Sequence, residues 1–238
     1  MATYDLEQQE QLDQVKHFWK QYGNLITWLL VLVLGAYAAW SLYLYWQQDR
    51  ASKAGGVYEE LDRANLEGNA DKALLAFTDL KSKYAGTTFA EQGALLAAKV
   101  AAEHGKADQG KATLQWLVDN GKSANLVGVA RLRLSGLQLD AKQYDEAAKT
   151  LSTDLPEEFA PLADDRRGDI LLAQGKKDEA VKAYQAAWKA IDPAIEYRRF
   201  VEGKLTMLGA PPAPAESKPS PVAPGAAQGM PPGLAPIN

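Results

Sequence analysis

The run from Leu25 to Trp46 holds 22 residues without one charged side chain. At about 1.5 Å of rise per residue, a helix of that length crosses the roughly 30 Å hydrocarbon core of a bilayer. Ten of these residues are Leu, Ile or Val, each favouring insertion by about 0.3 to 0.6 kcal/mol, or roughly 3 to 6 kcal/mol together. Trp28 lies near one end, and Trp40, Tyr43, Tyr45 and Trp46 crowd the other, where amphipathic rings settle at headgroup level. A buried core helix is a poor alternative, because such helices seldom stay apolar around the whole circumference for this length. A cleaved signal peptide could use Ala36-Tyr37-Ala38, but it wants a basic start, and Asp5, Glu7, Glu10 and Asp13 outnumber Lys16 and Lys20. The run therefore predicts a retained transmembrane helix over residues 25–46, after a short segment over residues 1–24.

The flanking charges leave the orientation open. Lys16 and Lys20 before the span are matched by Arg50 and Lys53 after it, so the positive-inside rule gives a tie. Within the span, Gly35 and Ala39 form a small-xxx-small pair, read either as a contact for a second membrane helix or as filler in an Ala-rich stretch. Before the span, Leu12, Val15, Trp19 and Tyr22 share one helical face, with Phe18 beside them. That face suits an amphipathic helix lying on lipid or on a partner, the alternative being a solvated extension of the span.

Residues 47–209 remain for a folded domain. Abundant Ala, Leu, Gln, Lys and Glu, with few Ile, Val and Thr, favour helices over strands, so the fold class is all-α. The formal net charge of -4, without any Lys/Arg-rich run, argues against nucleic-acid binding, which relies on cations to neutralise phosphates. With no cysteine, disulfides, thiolate chemistry and Cys-based zinc sites are excluded, and the compartment is left open.

A small residue followed four positions later by a large one recurs as Ala73/Phe77, Ala112/Trp116, Ala147/Leu151 and Ala180/Tyr184, at intervals of 39, 35 and 33. A period near 34 residues marks a stack of helix pairs. The small residue lets the second helix of a pair approach its partner, and the large one fills the space a turn later. The intervening turns read Glu67-Gly68-Asn69, His104-Gly105-Lys106, Asp140-Ala141-Lys142 and Gln174-Gly175-Lys176, three of them with a helix-stopping glycine. The sharpest copy runs from Gly168 through Gly175 and Ala180 to Tyr184 and resembles a tetratricopeptide repeat. The expected architecture is a solenoid of about four repeats. A last helix from Ile195 to Met207 is expected to cover the final open face with Ile195, Phe200, Val201, Leu205 and Leu208.

Residues 210–238 hold nine of the twelve prolines, a composition expected to be disordered and to act as a spacer. His17 and His104, the only histidines, have no matching ligand partners in the sequence. Asp164-Asp165-Arg166-Arg167 reads as a solvated helix face or as a charged rim for a partner. No catalytic dyad, phosphate-cradling glycine loop or zinc motif is present. The sequence therefore points to a non-enzyme without a cofactor.

In order, the chain has a short acidic start, one span and then degenerate helix pairs. Its opening carries Tyr4, Glu10, Gln11, Lys16, Phe18, Trp19 and Gly23. On these features it resembles the ancillary subunit of the bacterial Sec translocon, the YfgM-type family, from Tyr4 to about Met207; the proline-rich end departs from that family's compact terminus. The resemblance implies a single-pass type II inner-membrane protein with residues 1–24 in the cytosol and the solenoid in the periplasm. It implies SecYEG channel subunits and a membrane-anchored periplasmic chaperone as partners. A different function fits the same architecture, a membrane-anchored scaffold that organises envelope or division complexes without a role in export. Self-association is left open.

Overall fold

A single helix, α1 (Thr3–Leu66), carries both the apolar run and the first wall of the folded domain. The computed structural model describes residues 3–152 and 155–212, with side chains from Lys16 onward. The faces expected for Leu12 and Val15, and the proline-rich residues 213–238, lie outside the described residues. α1 has 64 residues, about 96 Å at the usual rise, and passes unbroken through Gly55 and Gly56. Two environments divide it. From Leu25 to Trp46 its large apolar side chains are exposed, apart from half-buried Ile26, whereas Ala54, Leu61 and Ala64 are buried.

Eight further helices follow: α2 (Ala70–Tyr84), α3 (Thr88–Glu103), α4 (Ala107–Asn120), α5 (Ala124–Asp140), α6 (Tyr144–Leu151), α7 (Ala160–Ala173), α8 (Lys177–Ala190) and α9 (Tyr197–Met207). A short 3-10 turn, Glu157–Phe159, precedes α7. No strand occurs among the described residues. Side-chain caps start three of the helices, with Asn69, Thr87 and Ser123 accepting from the backbone N–H of Lys72, Ala90 and Leu126, satisfying donors the helix itself leaves free.

Four tight turns join α1 to α2, α3 to α4, α5 to α6 and α7 to α8, all closed by the same pair of bonds. In the first, Asn69 N–H donates to the Ala64 carbonyl at 2.9 Å and Gly68 N–H to Asn65 at 3.0 Å; the fourth repeats this as Lys176 to Leu171 and Gly175 to Leu172. This is the Schellman arrangement, which needs one residue in the left-handed region. Gly68, Gly105 and Gly175 supply it, and in the third turn Lys142 does so at φ 59. That turn is centred on Lys142, with Gln143 N–H donating to Gln138, so its register lies one residue beyond the Asp140-Ala141-Lys142 alignment.

The turns fix the true repeat. Five residues past each left-handed position stand Ala73, Gly110, Ala147 and Ala180, at intervals of 37, 37 and 33. Each makes the same backbone bond to the residue four before it. Nine past stand Phe77, Leu114, Leu151 and Tyr184, all buried. In the second copy, then, Gly110 and Leu114 occupy the packing positions; Ala112 is exposed and Trp116 half-buried. Gly110 is there because α4 comes so close to α3 that a Cβ would lie 3.0 Å from the Ala98 carbonyl oxygen. In the fourth copy the closeness is reversed: Gly168 of α7 admits the Tyr184 ring, with which a Cβ would clash. Ser135, buried at the equivalent place in α5, donates to the Ala147 carbonyl at 3.1 Å.

The last helix closes the stack differently from the sequence expectation. Val201 and Leu205 are buried and Leu208 is partly buried, but Ile195 and Phe200 face outward. Tyr197 packs inward in their place, because it has a hydrogen-bond partner inside.

Candidate protein-binding surface

α1, α3, α5 and α7 approach one another more closely than do α2, α4, α6 and α8, so the stack curves toward the first set. On that inner face α3, α5 and α7 enclose a cleft of about 330 Å³. Its floor is small and apolar, with Ala98, Ala102, Gly136 and Leu137, and its walls carry Lys99, Glu103, Arg133, Asp140 and Arg166. Alanine and glycine on the inner helices keep the floor shallow, and the Arg166 guanidinium lies over Gly136, 3.6 Å from where a Cβ would stand. Arg133 donates to the Leu95 carbonyl at 3.3 Å. An open apolar floor edged by both charge signs suits a peptide chain or helix with mixed side chains.

The outer face has its own groove, about 670 Å³ between α2 and α4, lined by Leu74, Phe77, Lys81, Ala112 and Trp116. Trp116 meets Phe77 edge-on with centroids 5.2 Å apart, and Lys81 Nζ lies 5.9 Å from the indole centroid. Trp116 thus bridges two outer helices, which explains why it mimics a repeat aromatic without occupying that position.

The far end of the stack is locked by a polar cluster. Asp165 of α7 is only 2 % exposed. Lys204 Nζ of α9 donates to both its oxygens at 2.8 and 2.9 Å and to Asp169 Oδ1 at 2.7 Å. Tyr197 Oη donates to Asp165 Oδ2 at 2.6 Å, and Tyr184 Oη to Asp169 Oδ1 at 2.8 Å. Burial first, then these carboxylate bonds, push both phenols well above the ordinary tyrosine range, so they act as neutral donors. Arg167 pairs with Asp164 and donates to the Leu151 carbonyl, tying α7 to α6. Within the run from Asp164 to Arg167, Asp165 and Arg167 therefore fasten helices together, while Arg166 stands at the edge of the inner cleft. The partners of Asp165 and Arg167 on other helices lie 16 to 39 positions away, too far for local charge spacing to reveal.

Ala73, Ala147 and Ala180 are fully buried against their partner helices. Phe18, Trp19 and Tyr22 are exposed, with Phe18 and Tyr22 ring centroids 5.1 Å apart and Trp19 folded over Gly23. Gly35 and Ala39 lie on the bare surface of α1, with open space beside Gly35. The His104 ring bonds the Val100 carbonyl at 2.9 Å and covers Gly68 of the preceding turn.

The tetratricopeptide repeat-like domain family matches residues 16–210. The chain is 31 % identical over 199 residues to the ancillary SecYEG translocon subunit of Escherichia coli K12, covering 82 % of this chain and 94 % of that protein. It is 29 % identical over 209 residues to the ancillary SecYEG translocon subunit of Neisseria gonorrhoeae, covering 87 % and 100 %. It is 28 % identical over 187 residues to that of Haemophilus influenzae, covering 78 % and 90 %. With its long apolar first helix and its stacked hairpins, the chain belongs to the family of ancillary SecYEG translocon subunits built on a tetratricopeptide repeat-like domain.

Proposed function

We propose that this protein is an accessory subunit of the Sec translocon that binds other proteins through its solenoid and catalyses no reaction. Residues 25–46 cross the inner membrane, residues 1–24 lie in the cytosol, and residues 47–209 stand in the periplasm beside the channel exit. The inner cleft of α3, α5 and α7 takes a segment of a membrane-anchored periplasmic chaperone or of an emerging chain. The observation that carries this reading is the match to relatives named as ancillary SecYEG translocon subunits over nearly the whole chain. The cleft adds physical support: it is open, apolar at its floor and lined by both charge signs, a surface suited to polypeptide and poor for a small charged metabolite.

The test is purification of the full chain from its native membrane in mild detergent, with co-purifying proteins identified by mass spectrometry. Enrichment of SecYEG subunits and a periplasmic chaperone is expected. Leu137→Glu, which puts a charge on the cleft floor, should reduce the chaperone and leave the channel. Recovery of envelope or division proteins without the channel would move the function to the scaffold reading.

A further inference from the structure

Arg50 stands one helical turn beyond Trp46, the last aromatic of the apolar run, and touches both sides of that boundary. Its guanidinium lies 4.7 Å from the centroid of the Trp46 ring, and its Nη2 donates to the Lys83 carbonyl in the last turn of α2 at 2.8 Å. α2 runs antiparallel to the end of α1, so the connection from α2 to α3 returns to the level at which α1 leaves the apolar run. Phe89, just past that connection, packs against Gly55 and Tyr58, with the Tyr58 and Phe89 centroids 5.8 Å apart. The connection from α4 to α5 is drawn to the same edge. Lys122 N–H donates to the buried Glu91 carboxylate at 2.7 Å, and the Lys122 ammonium lies beside Gly86. Four residues of helix separate Arg50 from Trp46, about 6 Å, so this edge sits within a Debye length of the level of the interfacial aromatics.

Lys53, Lys81, Lys83 and Lys122 are exposed along this edge, as is Asp119, whose carboxylate accepts from Gln115. Lys53 and Lys83 are matched by Asp49 and Asp79, whereas the charged groups of Arg50, Lys81 and Lys122 form no ion pair among the described residues. The next connection on the same edge, from α6 to α7, carries exposed Glu157 and Glu158 instead. With Asp119 beside Lys122 and Lys149 before the two glutamates, the balance of charge shifts from basic toward acidic with distance from the span.

We infer that the edge formed by the α2–α3 and α4–α5 connections is a docking surface for anionic phospholipid headgroups. The occupant is lipid because the apolar run places a bilayer at that level and the exposed cations lie along the edge next to it. Attraction at Lys81, Lys83 and Lys122, with repulsion at Glu157 and Glu158, holds the near end of the solenoid on the membrane and tilts the far end off it. The basic residues act as fixed charges at short range, each strengthening surface attraction about fivefold. This inference rests on the reading of residues 25–46 as a span, and the experiment keeps the two separable.

The chain has no cysteine, so single labels are clean. Full-length protein carrying a fluorophore at Gly35→Cys, Ala85→Cys or Glu158→Cys is placed in nanodiscs of phosphatidylcholine alone or with phosphatidylglycerol added. Spin-labelled lipids, with the label on the acyl chain or on the headgroup, serve as quenchers. The expected result is acyl-chain quenching at residue 35, headgroup quenching at residue 85 and little at residue 158. Quenching at 85 should rise with phosphatidylglycerol, fall with salt and drop at least about twofold in K81Q/K83Q/K122Q. These lysines are exposed, and circular dichroism confirms that the variant stays folded. No acyl-chain quenching at residue 35 overturns the span and the inference with it. Quenching at 35 with residue 85 no closer to headgroups than 158, or equally quenched in both lipids, overturns the inference alone.

Discussion

The two ends of the solenoid share one turn geometry and are held together by different forces. At the near end, α1, α2 and α3 meet through Leu61, Phe77, Leu80, Ala94 and Ala97, an apolar core in which Leu61 and Leu80 are fully buried. At the far end, α7, α8 and α9 meet around Asp165, Asp169 and Lys204, with Tyr184 and Tyr197 as donors. Apolar packing is non-directional and tolerates a shift, whereas a carboxylate pair clasped by one ammonium fixes a helix at one position. The near end belongs to a helix already held by its own continuation, α1; α9 is short and ends the described chain, so its placement depends on what it touches.

The largest expected effect comes from removing the clasp. Lys204→Met leaves Asp165 buried beside Asp169 without its cation and should cost about 3 to 5 kcal/mol, seen as loss of hydrogen-exchange protection in α9 before the rest of the stack. Adding Asp165→Leu and Tyr197→Phe in the same chain should recover part of that loss, since apolar replacements remove the unpaired carboxylate together with the hydroxyl that bonds it. If the single variant is as stable as the parent, the polar cluster is ornamental. At the near end, Leu80→Ala should cost about 2 to 5 kcal/mol through the cavity it leaves, with protection lost across α2 and α3 and kept in α9.

The next contrast is in pH. The native state holds the Tyr184 and Tyr197 phenols above their ordinary range, so above about pH 10 the unfolded chain loses these protons while the folded one keeps them. Stability present below that pH is therefore lost as pH rises past it. Thermal unfolding at stepped alkaline pH should show the fall at the far end, flattened in Tyr184→Phe. The smallest effect is a gain. Lys142 holds φ 59, a region costing a side chain about 1 to 2 kcal/mol, while glycine's looser unfolded chain offsets part of the relief, so Lys142→Gly should stabilise by about 0.5 to 1 kcal/mol.

Local features were legible in the sequence, and distant pairings were not. The apolar run, the helical class and the glycine turns follow from composition and spacing within a few residues. The fourth hairpin was clear because Gly168, Gly175, Ala180 and Tyr184 all keep their residue types. The second was misaligned by two positions: a glycine replaces the small alanine at 110, and Ala112 with Trp116 offers the same spacing as a decoy. The glycine turns alone could have found it, since the small residue follows Gly68 and Gly175 by five positions, whereas Ala112 follows Gly105 by seven. The third turn hid its register because a lysine takes the left-handed place. The Asp165–Lys204 clasp joins residues 39 apart, and nothing short of the folded stack brings them together. Phe200 misled for the opposite reason: an aromatic in a terminal helix reads as core, yet it is 67 % exposed because Tyr197, with a carboxylate waiting for its hydroxyl, takes the inward place.

One helix serves both the apolar run and the solenoid, and that continuity fixes the position of the cleft and of the edge near Arg50 relative to the apolar run. Trp28 and Leu66 are both well exposed on α1, and the chain offers no competing cysteine. Spin labels at Trp28→Cys and Leu66→Cys in nanodisc-reconstituted full-length protein, read by pulsed dipolar spectroscopy, give the length of the helix between them. An unbroken helix predicts one narrow distribution near about 57 Å. A broad distribution, or a mean shorter by about 10 Å or more, would place a hinge at Gly55–Gly56 and contradict the rigid coupling of solenoid to span.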